Sequence, residues 1–347
     1  MNPFTRLLCI PLPLLQAPMA GVQGHRLAVA ACEAGALGAL PAAALSPFAL
    51  ANEIDALRAG TSRPFNLNFF CHAPPAPQPE REASWRTALS GEYAAWGIDP
   101  ASVQSGPGRR PFNEDALAVL LATRPSVISF HFGLPDESLL APLRAMGCRI
   151  LSSATTVDEA RWLATRGVDA VIAQGLEAGG HRGHFLSDDL SVQAGTFALL
   201  PSIVAAVDVP VIAAGGIVDA NGVAAAMRLG ASAVQVGSAF LRCPEADTSA
   251  VHRAALASPR ASHTVLTNVF TGRAARGIVN HAIREFGPLR SGLPDFPLAA
   301  TASAPLRKAA EAAGRDDWSP LWAGQRLPDQ AEVPAAEMVR RLAQGFA

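Results

Sequence analysis

The sequence predicts an α/β fold, a (β/α)8 TIM barrel with additional helical and irregular segments forming a cap over its active face. Three observations predict it. First, a helical pattern that ends at a glycine and leads into a short apolar strand recurs along the chain. It reads MGCRILSS (146–153), RGVDAVIAQG (166–175) and LGASAVQVGS (229–238), with AGALGALPA (34–42) a looser copy. Second, these strands lack polar alternation, as expected for strands buried on both faces of a parallel sheet. Third, the chemically distinctive residues sit just after strands, and in a barrel those positions converge on one face. An open doubly wound sheet allows the same alternation, but the placement of these residues favours the barrel.

Taken in order, the candidate strands are 12–17, 37–40, 66–70, 126–131, 149–153, 169–173, 210–214 and 233–237. The helices between them are marked by caps and stripes. Leu139, Leu140, Leu143 and Met146 form an inward stripe before Gly147. Thr156 followed by Glu159 is a capping-box pattern, and Ala160, Leu163 and Ala164 continue it up to Gly167. Asp219 caps a helix whose stripe is Val223, Ala226 and Met227 and whose end is Gly230. Two regions break the rhythm. One starts with HAPPAPQPE and contains SGPGRRPFN; the other mixes helical patterns with Pro-rich stretches. The expected division is therefore a barrel from 1–71 and 126–240, with 72–125 and 241–347 as insertion and C-terminal segments forming a substrate-side cap.

Composition narrows the function classes. Of 347 residues, half are apolar and only 16% are charged, which excludes a disordered chain. Lys and Arg total 28 against 29 Asp and Glu, so the basic stripe of a nucleic-acid binder is missing and no nucleic-acid partner is expected. Cys9, Cys32, Cys71, Cys148 and Cys243 stand far apart without a C-x-x-C, which reads as small core thiols in a reducing cytoplasm. Arg6 followed by LLCIPLPLL imitates a signal peptide, but two prolines interrupt the apolar run. The apolar stretch 27–51 is mostly alanine broken by glycine and proline, so helix, turn and strand are expected there and no membrane span. A homodimer is allowed and not specified.

The strand IAAGG (212–216) ends in Gly215 and Gly216, and the strand VQVGS (234–238) ends in Gly237 and Ser238. Glycines let backbone N–H groups approach a phosphate, a helix N-terminus favours its charge, and the Ser238 hydroxyl can add a donor. The loops after the seventh and eighth strands are the usual phosphate site of a barrel. The segment QGLEAGGHRGHF (174–185) opens a loop of about twenty residues, a length that in a compact domain is usually functional. It brings Gln174, Glu177, Gly179, Gly180, His181, Arg182 and His184 to the same end. His181 is a candidate base; the plainer reading is that it ties down its loop. His181, His184 and Asp188 or Asp189 lack a familiar metal-ligand spacing, and no metal is expected. His131 ends the strand VISFHFG at the barrel mouth and is read as lining the pocket. Asn66 and Asn68 bracket Leu67 and point the same way, where a flavin ring edge would offer partners. In QAPMAG (16–21), Pro18, Met19 and Gly21 suit a flat ring.

Together these segments resemble the nitronate monooxygenase family, formerly called 2-nitropropane dioxygenases. The matching stretches are QAPMAG, NLNFF, SFHFGLP, AQGLEAGGHRG, AAGGI, VQVGSAFL and TGRAARGIVN (271–280), with PLWAGQ (320–325) also similar. The resemblance implies an FMN-bound barrel without a metal, in which Asn68, Gln174, Gly179, Gly216, Gln235, Val236, Gly237 and Ser238 contact FMN. It implies that His181 is the catalytic base and that His131 lines the substrate and flavin pocket. It also implies oxidation of alkyl nitronates by O2 to a carbonyl compound and nitrite, the flavin carrying the redox chemistry. A nitroalkane would first lose its α-proton to His181. One departure stands out. Members of the closest class carry several tyrosines in the C-terminal part, whereas Tyr93 is this chain's single tyrosine and the corresponding stretch reads PDFPLAATASAPLRKAAE. Two other functions fit the same residues: an FMN-dependent NAD(P)H reductase of quinones or enoyl thioesters, and a flavin-binding protein without turnover.

Overall fold

A computed structural model describes residues 2–103, 109–328 and 332–346. Eight parallel strands form one sheet: β1 Leu14–Gln16, β2 Gly38–Pro41, β3 Phe65–Phe70, β4 Val127–His131, β5 Arg149–Ala154, β6 Ala170–Gln174, β7 Val211–Ala214 and β8 Ala233–Val236. The spatial order is β1-β8-β7-β6-β5-β4-β3-β2. A parallel bridge between Leu15 and Leu37 closes the ring. There the Leu37 N–H donates to the Leu14 carbonyl at 2.8 Å and the Gln16 N–H to the Leu37 carbonyl at 3.0 Å. The fold is a TIM barrel. All eight expected strands are present, with ends shifted by one or two residues. The largest shift is at β1, where Pro11 and Pro13 lack the N–H that ladder pairing requires.

Two apolar layers hold the barrel. Inward-facing residues such as Leu15, Leu37, Leu151, Ile172 and Ile212 fill its lumen, and Phe4, Leu8 and Ile10 plug the N-terminal end. The Arg6 segment that imitates a signal peptide is thus built into the barrel floor. The outward faces pack on helices at His25–Glu33, Pro47–Gly60, Glu114–Thr123, Glu137–Ala145, Val157–Thr165, Thr196–Val204 and Ala220–Arg228. The eighth helical position is filled from far along the chain. Ala335–Ala343 packs against both His25–Glu33 and Ala220–Arg228, burying Met338, Val339 and Leu342.

The stretches expected to form a cap therefore contain two barrel elements, Glu114–Thr123 and Ala335–Ala343. Both bury an apolar stripe in the main core. What lies between has its own core. Trp85 of the helix Pro79–Ala88, Tyr93 of the helix Ser90–Ala95 and Leu89 between them pack with Leu306 and Ala310 of the helix Ala299–Ala312 and with Trp318. The Tyr93 hydroxyl donates to the Ala302 carbonyl at 2.7 Å, so the single tyrosine serves this core and lies outside the pocket. Of the SGPGRRPFN motif, residues 105–108 lie outside the described residues.

One further sheet was not expected from sequence. Thr264–Thr267 and Ala275–Ile278 pair antiparallel, and Gly180–His181 joins as a third strand. The long segment after β6 is therefore a paired structure where it carries His181. All five cysteines are free; Cys32, Cys148 and Cys243 are buried, Cys71 is half-buried, and Cys9 is exposed rather than in the core.

Candidate active site

The C-terminal ends of the strands open into a pocket. Two sides of it face each other across the barrel mouth. Along β7 and β8 the wall is Gly215, Gly216, Gln235, Gly237 and Ser238, with Pro18 and Met19 alongside. The opposite side carries Asn68 and Phe70 of β3, His131 of β4 and Ser153 of β5. Gln174, Gly179, Gly180 and His181 line the pocket between these sides. Of the residues expected at the site, Gly21, Asn66, Arg182, His184 and Val236 do not line the pocket. The Val236 side chain is buried in the core because it alternates with Gln235 along the strand.

The chain is built to hold His181 in one place. The Gln174 amide grips the segment at two points: its nitrogen donates to the His181 carbonyl at 3.0 Å, and its oxygen accepts from the Gly183 N–H at 2.8 Å. Arg182 is fully buried and donates to the carbonyls of Gln174 and Gly175, each at 2.7 Å, and to Gln193 at 2.8 Å. Gly183 can only be glycine, because a Cβ there would stand 2.7 Å from the His131 ring. The end of the segment rests on Glu159. Its carboxylate accepts from the N–H groups of Phe185 and Leu186 at 2.6 and 3.3 Å, and from the N–H and hydroxyl of Thr155 at 2.6 and 2.8 Å. Thr156 caps its helix as expected, accepting from the Glu159 N–H at 3.2 Å. The reciprocal half of the capping box is diverted. The Glu159 carboxylate turns to the neighbouring Thr155 and to the histidine segment.

Hydrogen bonding separates the two histidines. The Nε2 of His131 faces the His181 carbonyl at 3.2 Å, which can only accept, so Nε2 carries the proton. Its Nδ1 accepts from the Ser153 hydroxyl at 2.5 Å. Both ring nitrogens are thus occupied, and burial pushes the pKa of His131 down to about 3. His181 is different. The Thr271 hydroxyl lies 2.9 Å from Nε2 of His181 and 3.3 Å from the Arg273 carbonyl; with its proton on that carbonyl, its oxygen accepts from Nε2–H. This leaves the Nδ1 lone pair without a hydrogen-bond partner among the described residues. Burial first, and the charge of Arg109 second, hold the pKa of His181 well below 6.5. The imidazole is neutral at pH 7, as a proton acceptor must be.

The surroundings of His181 are aromatic. Its ring centroid lies 5.2 Å from Phe296, 5.5 Å from Trp322, 6.2 Å from Phe132 and 6.3 Å from Phe70. Phe132 takes a φ of 69°, a conformation disfavoured for a bulky side chain. The strain turns its ring under the Arg273 guanidinium, 4.3 Å away. Thr271 and Trp322 belong to the motifs TGRAARGIVN and PLWAGQ, which sequence marked without assigning a role. The Gly324 N–H of PLWAGQ donates to Ser238 Oγ at 2.9 Å, freeing the Ser238 proton to donate into the pocket. Arg109 and His252 also line the pocket and were missed, because nothing in their spacing ties them to the other residues. His184 Nε2 lies 3.5 Å from Asp188, and no group of three His, Cys, Asp or Glu among the described residues is arranged to hold a metal.

Comparison with known proteins agrees with this site. The family model for nitronate monooxygenase matches residues 2–345. A nitronate monooxygenase of Pseudomonas aeruginosa is 44% identical over 345 residues, covering 98% of this chain and 97% of the relative. The crystal structure of a nitroalkane oxidase from Streptomyces ansochromogenes superposes with a TM-score of 0.88 at 41% identity, covering 98% of this chain and 96% of that one. FabK from Thermotoga maritima superposes less well, with a TM-score of 0.72 at 26% identity over 100% of this chain and 96% of that one. No helix among the described residues is long and apolar enough to cross a membrane. A match over nearly the whole chain, on a barrel whose mouth presents the motif histidine, shows that this chain belongs to the nitronate monooxygenase family of flavin-dependent oxidoreductases.

Proposed function

We propose that the chain is an FMN-dependent monooxygenase of alkyl nitronates, working in the cytoplasm. It uses O2 to yield a carbonyl compound and nitrite, and it accepts nitroalkanes once His181 has removed the α-proton. The observation that carries this reading is the free Nδ1 of His181, held neutral in the pocket that the glycine pairs also line.

The residues present fit FMN. Gln235 Oε1 and His252 Nε2 are buried beside the pocket without a partner among the described residues, as expected where a polyhydroxylated ligand supplies donors. Gly215, Gly216, Gly237 and Ser238 would hold the phosphate, and Pro18 and Met19 would lie against the ring. Asn68 is held by Ser129, its amide nitrogen donating to the hydroxyl at 2.9 Å, which leaves its oxygen to accept from the ring edge. FMN when bound accepts the electrons of the oxidation. His181 accepts the carbon-bound proton at Nδ1, Thr271 keeps the other proton on Nε2, and Phe70, Phe132, Phe296 and Trp322 flank the ring.

An anaerobic titration of the holoenzyme tests the reading. Nitronate should bleach the flavin and NADH should not. Rapid bleaching by NADH alone would favour the reductase, and no bleaching by either would favour a flavin carrier.

A further inference from the structure

The pocket is lined by two arginines in very different states. Arg326 stands on the β7 side and is paired with Asp219. Arg109 stands on the other side, in the segment that follows β3. In the ring order, β3 and β7 are four strands apart, so they are diametrically opposed. The Phe112 N–H donates to the Phe70 carbonyl at 2.8 Å, which holds the segment carrying Arg109 at the mouth end of β3, across the barrel from the strands that carry the glycine pairs. No carboxylate among the described residues pairs with it. Its charged neighbours are cationic: Arg307 lowers its pKa, and Arg109 in turn lowers those of His72 and His181. The one acid lining the pocket, Glu177, is committed to the N–H and hydroxyl of Thr196 at 2.8 Å on the β7 side.

The position of Arg109 is fixed through its backbone. Its carbonyl accepts from Nε2–H of His72 at 3.1 Å. The His72 ring stacks edge-on to Phe296 at 4.8 Å, and Phe296 lies 5.2 Å from His181. A half-buried guanidinium that lines this pocket without a carboxylate partner among the described residues lacks its counter-ion. It is planar and presents paired N–H donors, which match a planar anion with two oxygens on one atom.

Resting on the nitronate reading above, we propose that Arg109 is the anion receptor of this pocket and binds the two oxygens of the substrate's nitro or nitronate group. The step it assists is deprotonation of the nitroalkane. The C–H bond breaks, its proton goes to Nδ1 of His181, and its electron pair forms C=N while the N=O electrons move onto oxygen. Negative charge thus develops on the oxygens facing Arg109. This compensates for a base whose own pKa is depressed, since the imidazolium then forms beside a new anion. Nitrite, the proposed product, has the same two-oxygen head and would use the same receptor.

The test uses nitrate, a planar oxyanion that the enzyme cannot turn over, titrated into the holoenzyme at constant ionic strength. Binding is followed by flavin absorbance and, independently of the flavin, by calorimetry. R109Q should weaken nitrate binding roughly ten- to a hundredfold, the range for losing hydrogen bonds to a charged group. R109K should fall between R109Q and wild type and remains informative if R109Q does not fold. R110Q removes the same charge from the next residue, which pairs with the exposed Asp115 outside this pocket, and should leave nitrate binding unchanged. The KM for nitronate should rise in R109Q with flavin content unchanged. Wild-type nitrate affinity in R109Q, equal losses in R110Q, or no nitrate binding to the wild type would overturn the proposal. Nitrate binding that depends on Arg109 in an enzyme that does not oxidise nitronates would keep the receptor and reject the functional reading.

Discussion

Replacing Thr271 by valine should disable proton abstraction without touching either reacting partner. Valine keeps the shape of threonine and removes the oxygen that accepts Nε2–H of His181 at 2.9 Å. The ring is walled by Phe70, Phe132, Phe296 and Trp322, and none of these offers a replacement acceptor. A buried donor left unsatisfied costs about 1–3 kcal/mol. The imidazole escapes that cost by moving its proton to Nδ1, where pocket water can accept it, which places the proton where the lone pair is needed. The same energy therefore sets the loss of the competent tautomer, so kcat/KM for a neutral nitroalkane should fall by roughly 5- to 150-fold. A preformed nitronate has already lost its proton, and its kcat/KM should change by no more than about twofold. Thr271→Ser keeps the oxygen and should keep the activity. The assay is steady-state oxygen uptake at matched flavin occupancy with both forms of one substrate. Equal losses on the two forms, or no loss on the neutral form, would refute the tautomer argument.

Three other outcomes follow from the same geometry. Gly216→Asp should lower the flavin content of the purified protein, because φ is +71° there and an added carboxylate would repel a phosphate; unchanged FMN in a folded variant would remove Gly216 from the cradle. The base must be unprotonated and its pKa is lowered, so kcat/KM for a nitroalkane, corrected for substrate ionisation, should stay level as pH falls through 6.5; an acid limb centred there would contradict a buried neutral His181. Glu159→Gln puts an amide nitrogen against donors that now meet a carboxylate, at ~1–3 kcal/mol for each donor orphaned. Urea unfolding should report the lower stability, and an unshifted midpoint would mean that Glu159 does not anchor the histidine segment.

The barrel was legible in the sequence because its signals are local. A glycine after each helix and a short apolar run mark β5, β6 and β8 without reference to anything distant. The glycine pairs after β7 and β8 and the GGHRG histidine were legible for the same reason. What escaped depends on contacts far apart in the chain. Gly180–His181 becomes a strand only because Ala275–Ile278 comes to pair with it. Ala335–Ala343 reads as a tail helix until Met338 and Leu342 are seen in the barrel core. Thr271 and Arg109 carry no signal of their own, since a threonine or an arginine gains its role only by facing His181 across some 90 or 70 residues of sequence. His131 lines the pocket, but only its hydrogen bonds to Ser153 and the His181 carbonyl show that both nitrogens are taken.

The measurement that bears most directly on the account is the activity of His181→Asn on the two forms of one substrate. General-base catalysis is typically worth about 10²–10⁴-fold. At matched flavin occupancy, oxidation of the neutral nitroalkane should fall within that range, while oxidation of the preformed nitronate falls far less. His131→Asn should affect both forms alike, because it removes a bond to the His181 carbonyl and not the base. Equal losses on both forms in His181→Asn would reject proton abstraction by His181 and leave it a positioning role. A selective loss in His131→Asn instead would move the base to the other histidine and contradict the hydrogen-bond assignment on which the account rests.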